Sequence, residues 1–401
     1  MESEPVRVAS VVEELFVGGD ENRLLTLSAK LNLAEFKHLV VVICPIDTAN
    51  PRTRRLYDAF RNADIELAVL GHRTSALRGT DRARSKAPWW EKLATYIRVV
   101  RDLAALLRER QIEVVDARLS LPTVIAVLAA PLARTKTIVS TVYSPSVWAG
   151  AVRQVLGQLT YSRVDAIISD SAATIDAYER WLFTSRAKTV MIPNGVDPPE
   201  RHNNREAIRR QIGVPDVLCP VILQVARFIP FKGYETLLLA AATVLQEEPT
   251  AFFVFCGFGA MGPYGDILKA QARALGILEQ VRMISWSGEI ADVFGASDIF
   301  VHASSFDSSP MAILESMASG LPAVVTNVGG IPELVDHERT GIVIEPNDPR
   351  ALVTALLRLL QDRDLRNRLG KAALKRHGTH YTSDRMARAT ERLFASLARG
   401  Q

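Results

Sequence analysis

Short apolar runs rich in Val and Ile alternate with segments of helical periodicity from one end of the chain to the other. Residues 8–12, 39–43, 66–70, 114–116, 137–142, 166–169 and 189–192 read as strands. After Pro220 the pattern restarts, with strands over 221–225, 251–256, 281–285, 299–302, 323–326 and 341–344. These runs are apolar at consecutive positions rather than alternate ones, so both faces of each strand are covered, as in parallel sheets flanked by helices. Two successive sets predict an α/β chain of two doubly wound, Rossmann-like domains. The turn-rich segment Pro193-Asn194-Gly195-Val196-Asp197-Pro198-Pro199 marks the break. We expect a first domain over 1–196, a second over 197–382, and a C-terminal helix within 383–401 that packs back on the first domain. Ligands of such sheets bind outside the carboxyl ends of the strands, so a cleft between two facing sets of strand ends is the expected site.

Composition narrows the class. The 401 residues are 48% hydrophobic and 23% charged, which suits two soluble globular domains and not a disordered chain. A net charge of +4 is too mild to argue nucleic-acid binding, and no DNA- or RNA-reading motif is present. Cys44, Cys219 and Cys256 lie far apart and read as buried thiols of a reducing compartment. The N-terminus carries acids where a secretory signal needs bases, and no run approaches the ~20 apolar residues of a spanning helix. A cytoplasmic protein, soluble or peripheral on the inner membrane face, is expected.

Three constellations carry chemistry. In the segment 304–334, Asp307 and Glu315 are separated by seven residues, with Ser309-Pro310 opening an apolar helix between them. Ser309 is a favoured N-cap and Pro310 fits the first turn. The free amides of Met311 and Ala312 and the positive dipole end suit a phosphate. Helical side chains lean toward the N-terminus, so the Glu315 carboxylate points back to this mouth, where it can accept from both hydroxyls of a ribose. Asp307 sits at the same mouth, within reach of a sugar. In the segment 224–242, Arg227 and Lys232 leave a strand just before Gly233, and two cations there neutralise a diphosphate without a metal. In the segment 15–31, Gly18-Gly19 follows the first strand and lets backbone approach a phosphate or sugar; a tight strand-to-helix turn, with Asp20 capping the helix, explains it equally well. It lacks the G-x-G-x-x-G fingerprint.

Together these residues resemble a retaining glycosyltransferase of family 4, with the two-domain GT-B fold. The resemblance covers nearly the whole chain. It rests on Gly18-Gly19, the PNGVD run from Pro193, Arg227, Lys232-Gly233, Gly257-Phe258-Gly259, and the long segment that ends in GGIPEL at Leu334. The family's Glu-x7-Glu stands here as Asp307-x7-Glu315, its first acid shortened by one methylene. The resemblance implies that Arg227 and Lys232 hold the donor diphosphate and that Glu315 binds the ribose. Asp307 then meets the donor sugar, while Ser309, the Met311 and Ala312 amides, Gly257 and the Gly18-Gly19 loop line phosphates and sugar. Trp286 either borders the base or is a core or rim tryptophan. The family often has histidines where this chain has Arg118 and Tyr143. Each can bond to a substrate, but neither is a general base near pH 7.

The implied reaction moves a sugar from a nucleoside diphosphate sugar to an acceptor hydroxyl with retention. Diphosphate departure leads, attack follows on the same face, and the acceptor proton passes to the leaving phosphate. No cofactor and no metal are expected. Double displacement through Asp307 is the less favoured route. A catalytically decayed nucleotide-sugar-binding protein is the alternative function, and an epimerase is weaker still. Asp362-Arg363-Asp364 spells a metal-binding D-x-D but lies between helical segments, after the nucleotide site. Residues 72–110 hold ten Lys or Arg against four Asp or Glu. Residues 73–90 could therefore touch an anionic membrane surface or an acidic acceptor. Trp90, Leu93, Ile97, Val100, Ala104 and Leu107, however, form the stripe of a helix packed on a sheet. The base, the sugar and the acceptor are not legible in these motifs.

Overall fold

A computed structural model describes residues 4–15, 18–74, 88–143, 151–182, 188–199, 204–216 and 218–400. The chain divides into two compact units, Met1–Pro193 with Ser383–Gln401, and Asn194–Thr382.

The N-terminal unit is built on seven parallel strands, β1 (Val6–Val12), β2 (Phe36–Val42), β3 (Glu66–Val69), β4 (Val114–Arg118), β5 (Thr137–Val142), β6 (Ala166–Ser169) and β7 (Thr189–Met191). Their order is β3-β2-β1-β4-β5-β6-β7. Every residue of β4, β5 and β6 is buried, including the polar Asp116, Arg118, Ser140 and Thr141. The C-terminal unit carries six parallel strands, β8 (Val221–Val225), β9 (Phe252–Cys256), β10 (Val281–Ile284), β11 (Ile299–His302), β12 (Ala323–Thr326) and β13 (Ile342–Ile344), in the order β10-β9-β8-β11-β12-β13. Successive residues of β9 feed opposite faces: Phe253 and Phe255 pack with Leu237 and Leu238, whereas Phe252 and Val254 pack with Phe300 and Leu314. In both units the order reverses beside the first strand, between β1 and β4 and between β8 and β11.

Local chemistry starts several helices. The Asn50 side chain accepts from Arg52 N at 3.0 Å before Pro51–Asn62, and Asp348 accepts from Arg350 N and Ala351 N at 2.9 Å before Pro349–Gln361. Asp362, of the D-x-D, is a helix cap: its carboxylate accepts from Leu365 N at 2.8 Å, ahead of Arg363–His380. The helix Ser383–Ala398 belongs to the N-terminal unit. Its Met386, Ala387 and Phe394 join Val8, Leu27 and Phe36 in one core, and Glu391 accepts from Asn32 N at 2.7 Å. Where the chain enters and leaves the C-terminal unit, Val196 bridges Thr382 and donates to Tyr381 O at 2.9 Å.

The helix Trp89–Glu109 corrects the predicted stripe. Val99, Val100, Leu103, Ala104 and Leu107 are buried, but Trp90, Leu93 and Ile97 are about half exposed. A helix of 21 residues is about 31 Å long. The seven-residue β1 spans only about 23 Å, and the exposed apolar positions all fall in the N-terminal half of the longer helix. Residues 75–87 and the Trp89 side chain, central to the expected membrane or acceptor contact, lie outside the described residues. All three cysteines are free; Cys44 and Cys256 are buried and Cys219 is half-buried. Among the described residues no helix is long and apolar enough to cross a membrane.

Candidate functional site

In the C-terminal unit, the loops that leave β8 and β11 meet. The buried Gln224 of β8 ties them: its Nε2 donates to Lys232 O at 3.0 Å, and its Oε1 accepts from Ala303 N at 3.2 Å. Ser305 N adds a bond to Phe231 O at 2.8 Å. Gly233 allows the approach. Its φ is +72°, and a Cβ there would stand 1.9 Å from Ala303 O. Gly329, at φ +52°, closes the other side, where a Cβ would stand 1.8 Å from Asp307 O. The Asp307 loop is thus clamped between two glycines that cannot be replaced without moving it.

This clamp brings Lys232 and Asp307 together. The Lys232 ammonium donates to Asp307 Oδ2, and both side chains are largely buried. His302, the last residue of β11, places Nε2 2.8 Å from the same oxygen. Burial pushes the Asp307 carboxyl up, but the hydrogen bonds from His302 and Lys232, with the charge of the lysine, outweigh it and hold it at about 2. Asp307 Oδ1 makes no hydrogen bond among the described residues. Arg227 lies two residues beyond β8, exposed and without an ion pair among the described residues.

The helix Met311–Ala318 opens beside this cluster, but Ser309 is not its N-cap. Pro310 occupies that position, at φ −66° and ψ 125°. A residue before proline is pushed out of the α region, which keeps Ser309 out of the helix. It is 5% exposed, its hydroxyl has no protein partner, and its carbonyl accepts from Asn194 Nδ2 at 2.9 Å. The Met311 and Ala312 amides donate to no group among the described residues, so the helix mouth offers two free N–H groups. Glu315 follows one turn later. Burial pushes its carboxyl up to about 7, and it has no hydrogen-bond partner among the described residues.

Two further predicted residues are already engaged. Gly257 N donates to Ile284 O at 2.9 Å, its carbonyl accepts from Ser285 Oγ at 3.1 Å, and a Cβ would stand 1.8 Å from Ala226 O. Its lack of a side chain serves close packing of β8 against β9. Trp286 follows β10, packs partly on the core, and donates Nε1–H to Glu289 O at 2.9 Å.

In the N-terminal unit, Gly18 is the N-cap of the helix Gly19–Lys30, at φ −143° and ψ 177°, and Asp20 is not the cap. Asp20 instead accepts from Arg118 Nε at 2.9 Å and from the Tyr143 hydroxyl at 2.6 Å. Arg118, ending β4 and buried, also donates to Asp116 Oδ2 at 3.1 Å and to the Tyr143 hydroxyl at 2.6 Å. A buried guanidinium needs such partners, and these leave Arg118 a clasp between β4 and the glycine turn rather than a free ligand group. Burial pushes the Tyr143 phenol well up.

Two residues escaped the sequence reading. One is His302; a histidine closing an apolar strand reads as strand. The other is Glu21, whose carboxyl burial and the neighbouring Asp20 push up to about 8. Its signal was its place directly after Gly18-Gly19-Asp20. Among the described residues no group of three or more His, Cys, Asp or Glu is arranged to hold a metal.

Known proteins share this layout. Glycosyltransferase Family 4 matches residues 17–200, and Glycosyl transferases group 1 matches residues 204–376. A D-inositol 3-phosphate glycosyltransferase of Corynebacterium urealyticum is 28% identical over 259 residues, covering 61% of this chain and 60% of that protein. A UDP-Gal:alpha-D-GlcNAc-diphosphoundecaprenol alpha-1,3-galactosyltransferase of Escherichia coli is 29% identical over 188 residues, 46% of this chain and 48% of its own length. The chain therefore spans between about half and three-fifths of the length of these curated relatives. The structure of Anabaena HepE in complex with UDP superposes with a TM-score of 0.79 at 19% identity, covering 98% of this chain and all of that one, which shows the fold. Two doubly wound parallel sheets, a matched family module over each, and neighbours of the same two-domain design lead to one conclusion: the chain belongs to the GT-B glycosyltransferases that join a family 4 module to a group 1 module.

Proposed function

We propose that the chain transfers a sugar from a nucleoside diphosphate sugar to an acceptor hydroxyl, with retention of anomeric configuration and without a metal. The observation that supports this most is the cluster at the carboxyl ends of β8 and β11: two cations, an open helix mouth, and a half-buried Glu315 one helical turn away without a partner among the described residues. Each matches one part of the donor. The Glu315 carboxylate accepts from the ribose diol. The Met311 and Ala312 amides, with the Ser309 hydroxyl, meet phosphate oxygens. Arg227 and Lys232 meet the charge that grows on the diphosphate as the glycosidic bond breaks. Asp307, through its free Oδ1, accepts from a donor-sugar hydroxyl. The acceptor hydroxyl then attacks from the face the diphosphate leaves, and its proton goes to the departing phosphate oxygen.

The names of the relatives, which describe glycosyl transfer and in one case a UDP-sugar, and the UDP-bound neighbour support the donor class and make uridine the first base to test. A thermal-shift screen of nucleoside diphosphates and their sugars identifies the donor, and NMR of the product reads the anomer. An inverted product, or activity that chelator abolishes and a divalent metal restores, contradicts the proposal.

A further inference from the structure

One oxygen of Asp307 serves two donors. Oδ2 accepts from the Lys232 ammonium and lies 2.8 Å from His302 Nε2. His302 is 2% exposed, and its Nδ1 is buried with no partner. A carboxylate can only accept, so Nε2 is the nitrogen that carries the proton. The ring lies near-parallel to the core Phe300 ring, at 24° with centroids 6.3 Å apart, at the buried end of β11.

This arrangement has a consequence when a diphosphate enters. Lys232 is engaged by Asp307. To meet the phosphates its ammonium must turn from Asp307 or be shared with them. Without His302, Asp307 would then be a largely buried carboxylate beside a polyanion with nothing to hold it, and would compete for the lysine. His302 is the donor that remains. The shortened acid fits this role. An aspartate at the strand exit sits within hydrogen-bond reach of the histidine five residues before it.

We propose that His302 is a positioning residue of the donor site: it retains Asp307 Oδ2 when Lys232 turns to the donor diphosphate, and so keeps Oδ1 free for a hydroxyl of the donor sugar. This rests on the reading of the β8–β11 cluster as the donor site. His302 touches neither phosphate nor sugar; it acts through Asp307.

The test is a double-mutant cycle in the full chain, with UDP and UDP-glucose as probes in calorimetry. His302→Leu is expected to weaken UDP binding about tenfold, and His302→Gln, which keeps an N–H donor, to restore most of it. In an Asp307→Asn background, where the competing charge is gone, His302→Leu is expected to change UDP affinity less than twofold. UDP-glucose is expected to lose more than UDP in His302→Leu, because the sugar contact through Oδ1 is lost as well. Parental UDP affinity in a folded His302→Leu, or the same tenfold loss in the Asp307→Asn background, overturns the role of His302 while leaving the donor site standing. If Lys232→Met also binds UDP like the parent, or none of UDP, GDP and ADP binds the parent, the donor-site reading has failed and the proposal falls with it. Should His302→Leu not fold, His302→Ala, which also lacks the donor, is compared across the two backgrounds: an affinity loss no smaller with asparagine than with aspartate at position 307 overturns the proposal.

Discussion

Replacing Glu315 with glutamine separates the cost of holding this acid from its use. Burial raises the carboxyl from 4.5 to about 7, and no donor offsets it. The folded state therefore favours the neutral acid. Its contribution to stability is complete below pH ~4.5 and is lost as pH rises through ~7. A shift of about 2.5 units corresponds to up to ~3 kcal/mol at high pH. Glu315→Gln should match the parent in melting temperature near pH 4 and exceed it at pH 8. Nucleotide binding should move the other way. An ionised carboxylate accepting from the ribose diol is worth roughly 1.5–3 kcal/mol, so the variant should bind UDP more weakly at pH 8. The parent, with a group titrating near pH 7, should lose roughly tenfold in affinity through this carboxyl between pH 8 and pH 6. The diphosphate's own proton adds a dependence in the same direction, and the variant isolates it. Calorimetry in two buffers of different ionisation enthalpy should show proton release on binding in the parent that the glutamine variant lacks. The parent should prefer UDP over 2′-deoxy-UDP, and the variant should not. Equal UDP affinity at pH 8 in the two proteins, with no gain in stability, would refute the assigned environment and role together.

Four further perturbations follow. Lys232→Met should lower turnover by ~10²-fold or more and destabilise the fold by leaving Asp307 with His302 alone; adding Asp307→Asn should recover the melting temperature but not the turnover, and recovery of both would show the lysine to be structural. Asp307 is held at about 2, so its contribution is present above pH ~4 and is lost as pH falls through ~2; acid unfolding of Asp307→Asn should lack that component. Gly233→Ala places a methyl 1.9 Å from Ala303 O at a positive φ, so it should cost more than ~1 kcal/mol in a denaturant titration and displace Lys232, while an unchanged midpoint would show the loop to be looser than described. Glu21→Gln should raise the melting temperature at pH 8–9 and leave it unchanged near pH 4, because the raised Glu21 carboxyl weakens the fold as pH climbs toward about 8; no gain at high pH would place Glu21 in water.

Much of the architecture was legible because it follows from short-range pattern. β8, β11 and β12 coincide with their apolar runs, and the strand-exit positions of Arg227, Lys232, Asp307 and Glu315 follow from that. Strand starts were read late where polar residues sit inside the sheet. β2 begins at Phe36, and its His38 is packed against Ser10 Oγ at 2.9 Å, a pairing invisible in one dimension. Local rules failed where two competed. Ser309 is a good cap by type, but the following proline shifts the helix start. The partners of Arg118 lie 98 positions away at Asp20 and 25 away at Tyr143, so sequence alone offered a free guanidinium where folding makes a clasp. The exposure of Trp90, Leu93 and Ile97 was hidden for a similar reason: periodicity reports a helical face, not how much of that face is covered.

The central claim is that the cluster between β8 and β11 is a nucleotide-sugar donor site, and calorimetric titration of UDP, GDP and ADP into the parent, Lys232→Ala and Glu315→Ala tests it most directly. The account predicts that at least one of the three nucleotides binds the parent, and that both folded variants lose at least tenfold in affinity for it. Binding of that nucleotide by both variants with parental affinity, or no binding to the parent by any of the three, would contradict it.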